Sequence, residues 1–513
     1  MTERILNVIA PKKAGELYKN RVSKNLNIKM GYDAHGASRR KNALIGWLTS
    51  PGSAEKDIDK NVGILRERAR DLDAGGGVSR AATRTLRTNV IGQGIQAKPK
   101  VNYKTLNISE DAAYELEQKI TSEFNLWAST TMCDARRTKN FYALQQLAYL
   151  SMLISGDVIV LLPSVERKGD IYSTKIRVIE ADRLMTPGRN GRDGISELAN
   201  GNRIINGVEY GKNGEVIAYH IANRHPYSGF GDEKTTRIAA YDDMGMPNVL
   251  HIMEMERPEQ TRGVPYVSPE IENIKQLDRY INSELASNLV SSMLTVFLEQ
   301  AQSTGTFGME DAINDEEKIS DDESKIELAP GAIYKLPAGM KPNVVNPMRT
   351  NSAYADYVDS LFTSIGASLE IPKEVLLKKF ASNYTASRGA LLEFWKVAML
   401  NRRNFIYQFC QPIYEAWFSE AVALGRIEAP GYFRDLATRR AYTNCEWIGG
   451  SMGVIDPLKE VKAAAQKIEY NLSTVEREAA ELNGSNWSDN IQQRAKELNL
   501  RNSVLEEEDA TKV

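Results

Sequence analysis

The sequence predicts a mainly helical α+β protein with more than one hydrophobic core. The chain has 513 residues, whereas a single core rarely grows beyond about 250–300 residues. On both sides of residues 155–262, apolar residues recur every three to four positions, which is the period of an α-helix. Within residues 155–262 they fall instead into short β-branched runs, which indicates strands.

The composition is that of an ordinary globular protein, with 42% hydrophobic and 26% charged residues and a net charge of −2. No apolar run approaches the roughly 18 residues that a membrane span needs, so no membrane partner is predicted. The three cysteines (Cys133, Cys410 and Cys445) suit neither a disulfide framework nor a zinc cluster. We therefore predict no metal or cofactor and a reducing, cytosolic environment during assembly.

The charges are unevenly distributed along the chain. Residues 1–100 carry 20 Lys/Arg against 9 Asp/Glu, whereas residues 310–327 carry 9 acids against 2 lysines. Such asymmetry suggests separate surfaces for unlike partners, although solvated faces that happen to cluster explain it equally well.

The amino-terminal half begins with helices. Residues 59–90 read as two helices separated by a Gly75–Gly77 break, and the stretches 111–127 and 141–154 are helical by periodicity. Arg80, Arg84 and Arg87 share one face of the second helix, which could meet phosphate or a neighbouring subunit or could simply be solvated.

Strands follow at residues 157–162, 175–180 and 249–253. Between them, Asn213-Gly214 separates two further β-branched runs, which is a strong hairpin signal.

Three long helices are predicted in the carboxyl-terminal half. The first begins at Ser268-Pro269, with Ser268 as a candidate cap, and could continue to Leu298. A second helix covers residues 351–366, and a third covers residues 386–424 with a kink expected at Pro412. The apolar stripe of the first helix is narrow (Ile271, Ile274, Leu277, Ile281, Leu285 and Leu289), which favours packing against neighbouring molecules over burial within a domain.

Motifs typical of enzymes lack their necessary context. Gly449, Ser451 and Gly453 match G-x-S-x-G, but that hydrolase order needs a later histidine, and all four histidines precede residue 252. Gly92, Gly94 and Ala97 match a dinucleotide-binding pattern, but Lys98-Pro99 follows where a helix should begin, so a structural turn is favoured. The acidic residues are numerous enough to leave a metal-dependent nuclease as the alternative function.

An ordered series of segments resembles the lambda-type portal proteins of tailed bacteriophages. These segments are VIGQG (90–94), EADRL (180–184), the hairpin 207–221, the stretch 251–280, ASNYTASRGALLEFWK (381–396) and WIGGSMGVIDPLKEVKAA (447–464). The sequence departs from the family pattern at Gly75–Gly77, Thr385 and Gly389.

The resemblance implies a portal fold with wing, stem, clip and crown, assembled as a ring around a central channel. The implied divisions are a basic amino-terminal arm (1–58), helical wing (59–154), strand-rich wing (155–262), first stem helix (263–298), clip (299–349), second stem helix (350–372), tunnel loop (373–385), long kinked helix with wing return (386–450) and crown with tail (451–513).

The resemblance also implies a structural role at the capsid portal vertex of the virion, following assembly in the host cytoplasm. The implied partners are further copies of the chain (12 in a ring), double-stranded DNA bound without sequence preference, the terminase large subunit, a head–tail adaptor, and the major capsid and scaffolding proteins. Phosphate donors facing the DNA are expected in the tunnel loop, at Lys373, Lys378, Lys379, Asn383 and Tyr384. An adaptor protein is a further alternative, which the length of the chain disfavours.

Overall fold

A computed structural model describes residues 52–188, 194–228, 234–292, 353–380, 384–453, 457–485 and 487–510, with the short strands 296–298 and 333–335 and a few isolated positions. Residues Met1–Ser53 separate from Ala54–Val513 as a unit of their own, and the account below concerns the second unit. Most of the predicted amino-terminal arm and of the clip lies outside the described residues.

The predicted helices of the amino-terminal half are confirmed. After a π-helical turn at Glu55–Asp59 come α1 (Val62–Gly75), α2 (Gly77–Val90), strand β1 (Gln96–Pro99), α3 (Tyr103–Leu106), α4 (Glu110–Ala128), a 3-10 turn (Thr131–Cys133) and α5 (Phe141–Ser155). Gly76 has φ 90°, which ends α1 and lets α2 start at once. The Gly92–Gly94 segment is a turn that leads into strand β1, so the structural interpretation of the dinucleotide-like pattern is confirmed.

The strand-rich region forms two antiparallel sheets. Its strands are β2 (Asp157–Leu161), β3 (Arg177–Glu180), β4 (Ile195–Glu197), β5 (Arg203–Ile205), β6 (Val208–Tyr210), β7 (Val216–Ala222), β8 (Thr235–Ala239) and β9 (Val249–Met253), with a 3-10 turn at Ala181–Arg183. One sheet has the order β3-β2-β9, and the other is the meander β4-β5-β6-β7-β8. The predicted hairpin is confirmed as the β6–β7 pair, and Gly214 has φ 85° in its turn.

The first long helix is shorter than predicted. A 3-10 turn (Ser268–Glu270) precedes α6 (Ile271–Ser292), and Val296–Leu298 forms strand β10, which pairs in parallel with β11 (Ile333–Lys335). The prediction of helix up to Leu298 was therefore wrong, because a partner strand distant in sequence takes these residues. Ser268 lies inside the 3-10 turn, and its hydroxyl has no hydrogen-bond partner among the described residues, so it is not a helix cap.

The carboxyl-terminal half continues with α7 (Tyr354–Ser368), α8 (Lys373–Leu377), α9 (Tyr384–Phe405), a π-helical segment (Ile406–Cys410), α10 (Gln411–Ala423), α11 (Leu436–Thr443), strand β12 (Cys445–Ile448), α12 (Pro457–Glu469), α13 (Val475–Asn483) and α14 (Trp487–Ala510). β12 pairs antiparallel with β1. The expected disturbance at Pro412 takes the form of the π-helical segment directly before it, because proline cannot donate the α-helical hydrogen bond.

A large core joins the helices to the sheet β3-β2-β9. At its centre lies an aromatic cluster, in which Phe124 contacts Phe141, Tyr414 and Trp417 edge-on at centroid distances of 5.6, 5.4 and 4.9 Å. A smaller core lies between the two sheets around Ile159, Val208 and Ile221. Within the described residues, none of the helices combines the length and apolar content that crossing a bilayer requires.

Candidate nucleic-acid interface

The segment predicted to face DNA is anchored by the end of α7. The chain turns back at Gly366, where Ile371 N donates to Gly366 O at 2.8 Å, and a Cβ at residue 366 would lie 2.6 Å from Ile371 O. Ile365, Leu369 and Ile371 are buried in the large core. The segment that follows therefore starts from a fixed point.

Residues 373–377, predicted as part of a loop, instead form the short helix α8. Val375 and Leu376 bury one side of α8 in the core. Lys373, a predicted DNA contact, places Nζ 2.6 Å from Asp359 Oδ2 on α7, and this hydrogen bond raises the pKa of the Lys373 ammonium group. Lys373 is thus engaged within the subunit.

The two lysines that follow α8 are exposed. Lys378 has φ 54°, a left-handed conformation that ends the helix, and Lys379 N donates to Glu374 O at 3.1 Å. Neither ammonium group has an ion-pair partner among the described residues, and both lie at a helix carboxyl terminus, where the helix dipole favours positive charge. Of the other predicted contacts, Asn383 lies outside the described residues, and Tyr384 begins α9 with an undescribed side chain.

The predicted basic face of α2 is partly occupied within the subunit. Arg80 Nη1 donates to Asp73 O at 3.3 Å, and Arg84 Nη2 lies 3.5 Å from Asp73 Oδ2. Partial burial, and then the neighbouring guanidinium groups, lower the pKa of Arg84. Two of the three arginines thus join α1 to α2 while remaining at least partly exposed, and Arg87 is half-buried.

The two predicted sets lie on or directly after neighbouring elements, because α8 packs against α2. Lys378 and Lys379 directly follow α8, and Arg80, Arg84 and Arg87 lie along α2. The predicted basic residues thus lie on two elements that are in contact although they are almost 300 positions apart in the sequence.

Sequence reasoning missed the buried ion-pair cluster that joins the helices to the sheets. Asp157 Oδ2 accepts from Arg262 Nε at 2.6 Å, and Asp157 Oδ1 accepts from Arg66 Nη2 at 3.1 Å. His251 Nε2 lies 3.2 Å from Asp157 Oδ2. Burial alone would raise the pKa of Asp157, but the two guanidinium groups hold it well below its usual range. In the sequence, the sign of this buried cluster was the single aspartate, Asp157, within the apolar run 157–162.

One group of side chains could contribute metal ligands. Glu180, Asp182 and His225 bring their ligand atoms within 4.8 Å of one another, and His225 Nε2 lies 3.0 Å from Glu180 Oε2. Asp182, however, already binds the guanidinium groups of Arg66 and Arg70. Its negative charge is thereby balanced, and the group is best described as an extension of the buried ion-pair cluster.

The serine of the hydrolase-like motif also lacks the partners it would need. Ser451 lines a groove of about 1,180 Å³, and no described histidine shares that lining. His220 pairs instead with Glu209 on the meander sheet, at 3.0 Å. Gly449 of the motif packs against Arg402, and a Cβ there would lie 2.6 Å from the guanidinium carbon. Gly449 therefore allows Arg402 to pack closely against the backbone.

Comparison with known proteins gives consistent matches. The model of the family described as "Phage portal protein, lambda family" matches residues 40–402. The portal protein of Escherichia phage N15 is 24% identical over 475 residues, covering 88% of this chain and 87% of that protein. Portal protein B of Escherichia phage lambda is 24% identical over 489 residues, covering 91% and 90%. A probable portal protein of Halomonas phage phiHAP-1 is 23% identical over 439 residues, covering 84% and 79%.

Among solved structures, a chain from the neck of a native gene transfer agent particle, computed with C12 symmetry, aligns with a TM-score of 0.37. It is 10% identical, and the alignment covers 83% of this chain and 94% of that chain.

Proposed function

Since the chain belongs to the lambda family of phage portal proteins, we propose that it is the structural subunit of a ring at one capsid vertex. Double-stranded DNA passes through this ring during packaging and ejection. A ring of 12 subunits is the expectation that the family resemblance supplies. The proposed role is structural rather than catalytic.

The observation that carries the ring proposal is an apolar stripe on α6 whose carboxyl-terminal part the described residues leave exposed. Ile274 and Leu277 are buried, whereas Leu285 and Leu289 on the same stripe are 66% and 56% exposed. α6 packs against α7, with Tyr280 and Tyr354 stacked at 5.6 Å. Because exposed leucines on a long helix are costly in water, neighbouring copies standing side by side would bury them.

We propose that Lys378 and Lys379 contact the DNA backbone. Both are exposed, without an ion-pair partner among the described residues, and a sliding duplex needs few, exchangeable, sequence-independent phosphate contacts. Lys373 is a weaker candidate because Asp359 already binds it. The acidic residues within 310–327 would repel the duplex and keep it from adhering to the clip.

The divisions proposed for the subunit are those that the family resemblance implies. α6 and α7 form the stem, residues 59–262 with the return segment 386–450 form the wing, and residues 451–513, which contain α12–α14, form the crown and tail. The terminase large subunit, and later a head–tail adaptor, would dock on this ring, which the major capsid and scaffolding proteins surround.

The test of the DNA-contact proposal combines Lys378→Ala and Lys379→Ala in one variant. Rings of normal diameter are expected by electron microscopy, together with reduced DNA packaging or retention that falls further as salt is raised. A matched control is Lys462→Ala with Lys496→Ala, which removes the same charge from exposed positions of α12 and α14. Rings that fail to form would contradict the tunnel placement, and packaging equal to the control would contradict the DNA contact.

The test of the ring interface is Leu285→Glu with Leu289→Glu. Buried carboxylates at a subunit contact should prevent ring closure, which electron microscopy and sedimentation would show as smaller species. Replacing the exposed Leu126 and Leu147 of the helical wing by Glu is the control, and it should leave rings intact. Closed rings in the Leu285/Leu289 variant would overturn the assignment of this stripe to the interface.

A further inference from the structure

The carboxyl-terminal helical unit, defined as α12–α14, lies outside the large hydrophobic core of the subunit. Its described residues include only two buried ones, Ala464 and Glu478, and neither belongs to the large core. The core instead reaches only as far as Trp447 on β12. Apolar burial therefore contributes little to holding this unit in place.

A groove of about 1,180 Å³ separates α12 and α13 from α9 and β12. Leu392, Trp395 and Met399 of α9 line one wall, and Ala463 and Ala480 lie on the other. The chain crosses the groove after Ile448 through Gly449 and Gly450. Gly449 packs against Arg402, whereas a Cβ at Gly450 would meet no atom within 4 Å, so residue 450 is the point of this segment that its surroundings leave free to turn.

Charged side chains bridge the groove at two places. Arg388 Nη1 of α9 binds Glu460 Oε1 of α12, and Lys98 Nζ of β1 binds Glu476 Oε1 of α13. Within the unit, Lys467 Nζ lies 3.2 Å from Glu478 Oε1, which joins α12 to α13. Because α12 and α13 are joined in this way, the two bridges hold the same pair of helices. A weaker contact, Gln492 Nε2 to Tyr114 Oη at 3.4 Å, connects α14 to α4.

We propose that the carboxyl-terminal helical unit is latched electrostatically and opens as a body about Gly450. All four bridging side chains retain solvent exposure, between 14% and 43%. Pairs of this kind change an equilibrium by about two- to fivefold each, and salt screens them beyond about 8–10 Å near physiological ionic strength. The unit thus alternates between docked and undocked positions at low energetic cost, and the ionic conditions around it set the ratio.

The latch can be measured in assembled full-length rings by thiol accessibility. Ala480→Cys places a thiol on the groove wall, in a background in which the half-buried Cys445 is replaced by Ser. A maleimide carrying a polymer too large for the groove reacts only when the unit is undocked. The rate should rise about two- to fivefold with Glu460→Arg, rise again with Glu476→Lys, and rise in the parent as salt increases from about 50 to 500 mM.

Exchanging the charges of both residues of one ion pair makes the test specific. Arg388→Glu combined with Glu460→Arg should return the rate toward that of the parent, whereas Lys396→Glu, which breaks a pair within α9 only, should leave it unchanged. A thiol at Leu472, which is 75% exposed, should react at one rate in every variant. Hydrogen exchange in α12 and α13 should also remain constant.

Two outcomes would overturn the proposal. A rate at residue 480 that is indifferent to salt and to charge reversal would show that the bridges do not hold the unit. Parallel increases in hydrogen exchange throughout α12 and α13 would show local unfolding instead of movement as a body.

Discussion

Replacing Asp157 by Asn should destabilise the subunit far more than such a small change suggests. Asp157 is fully buried and accepts hydrogen bonds from Arg262 and Arg66, with His251 beside it. Asn preserves the shape but removes the negative charge, so the buried Arg262 loses its carboxylate partner at residue 157 and Arg66 keeps only the carboxylate of Asp182. Breaking a buried pair in this way costs about 3–5 kcal/mol, out of a total stability of about 5–15 kcal/mol for a typical domain.

The assay is thermal and urea unfolding of the full chain followed by circular dichroism. A loss of about 3–5 kcal/mol corresponds to a decrease in Tm of about 3–5 °C if Ala54–Val513 unfolds as one cooperative unit. Asp359→Asn provides the matched control, because Asp359 pairs with Lys373 in an exposed setting and should cost less than about 1 kcal/mol. If both variants unfold at the same temperature, the buried cluster does not stabilise the fold as described here.

Three further predictions concern other sites. Hydrogen bonding to Arg237 in particular lowers the pKa of Glu209 from 4.5 to about 2. Because the pKa is higher in the unfolded chain, stability that is present above pH 4.5 should be lost as the pH falls toward 2, and Glu209→Gln should abolish that loss in urea titrations. Gly156→Ala should destabilise the subunit by at least about 2 kcal/mol in the same titrations, because φ of residue 156 is +89° and a Cβ there would collide with the Gly263 carbonyl. A variant as stable as the parent would show that this backbone contact can relax. Pro412→Ala restores an amide donor, so Ile406–Cys410 should return to α-helical hydrogen bonding. Hydrogen exchange at the Met253 amide should then be faster, and the ring dimensions in micrographs should change. Unchanged exchange and unchanged dimensions would show that Pro412 does not have this role.

Local patterns were sufficient for much of the fold. The hairpin at Asn213-Gly214 and the helix break at Gly76 depend on backbone conformations that the nearby residues dictate. The stripe on α6 was equally visible, but the expectation that it avoids burial within a domain was wrong for Ile274 and Leu277, which lie in the large core, whereas Leu285 and Leu289 are exposed. Periodicity reports such features because they depend on residues a few positions apart.

Long-range pairing accounts for what the sequence did not reveal. Val296–Leu298 looked helical by continuity, but β11, more than 30 residues later, pairs with it. The partners of Asp157 lie 91 and 105 residues away at Arg66 and Arg262, so the carboxylate was visible as an anomaly while its cluster was not. At the candidate interface, exposure could be expected for Lys378 and Lys379, but the pairing of Lys373 with Asp359 needed the α7–α8 geometry.

The π-helical segment before Pro412 also affects how the edge of a sheet can pair with other molecules. β9 is an edge strand of its sheet, and Gln408, inside the π-helical segment, accepts a hydrogen bond from Met253 N at 3.0 Å. An unpaired amide on an edge strand is a template on which a strand from another molecule can add. By occupying that amide, the π-helical segment leaves one fewer donor on this edge for pairing with a strand of another molecule.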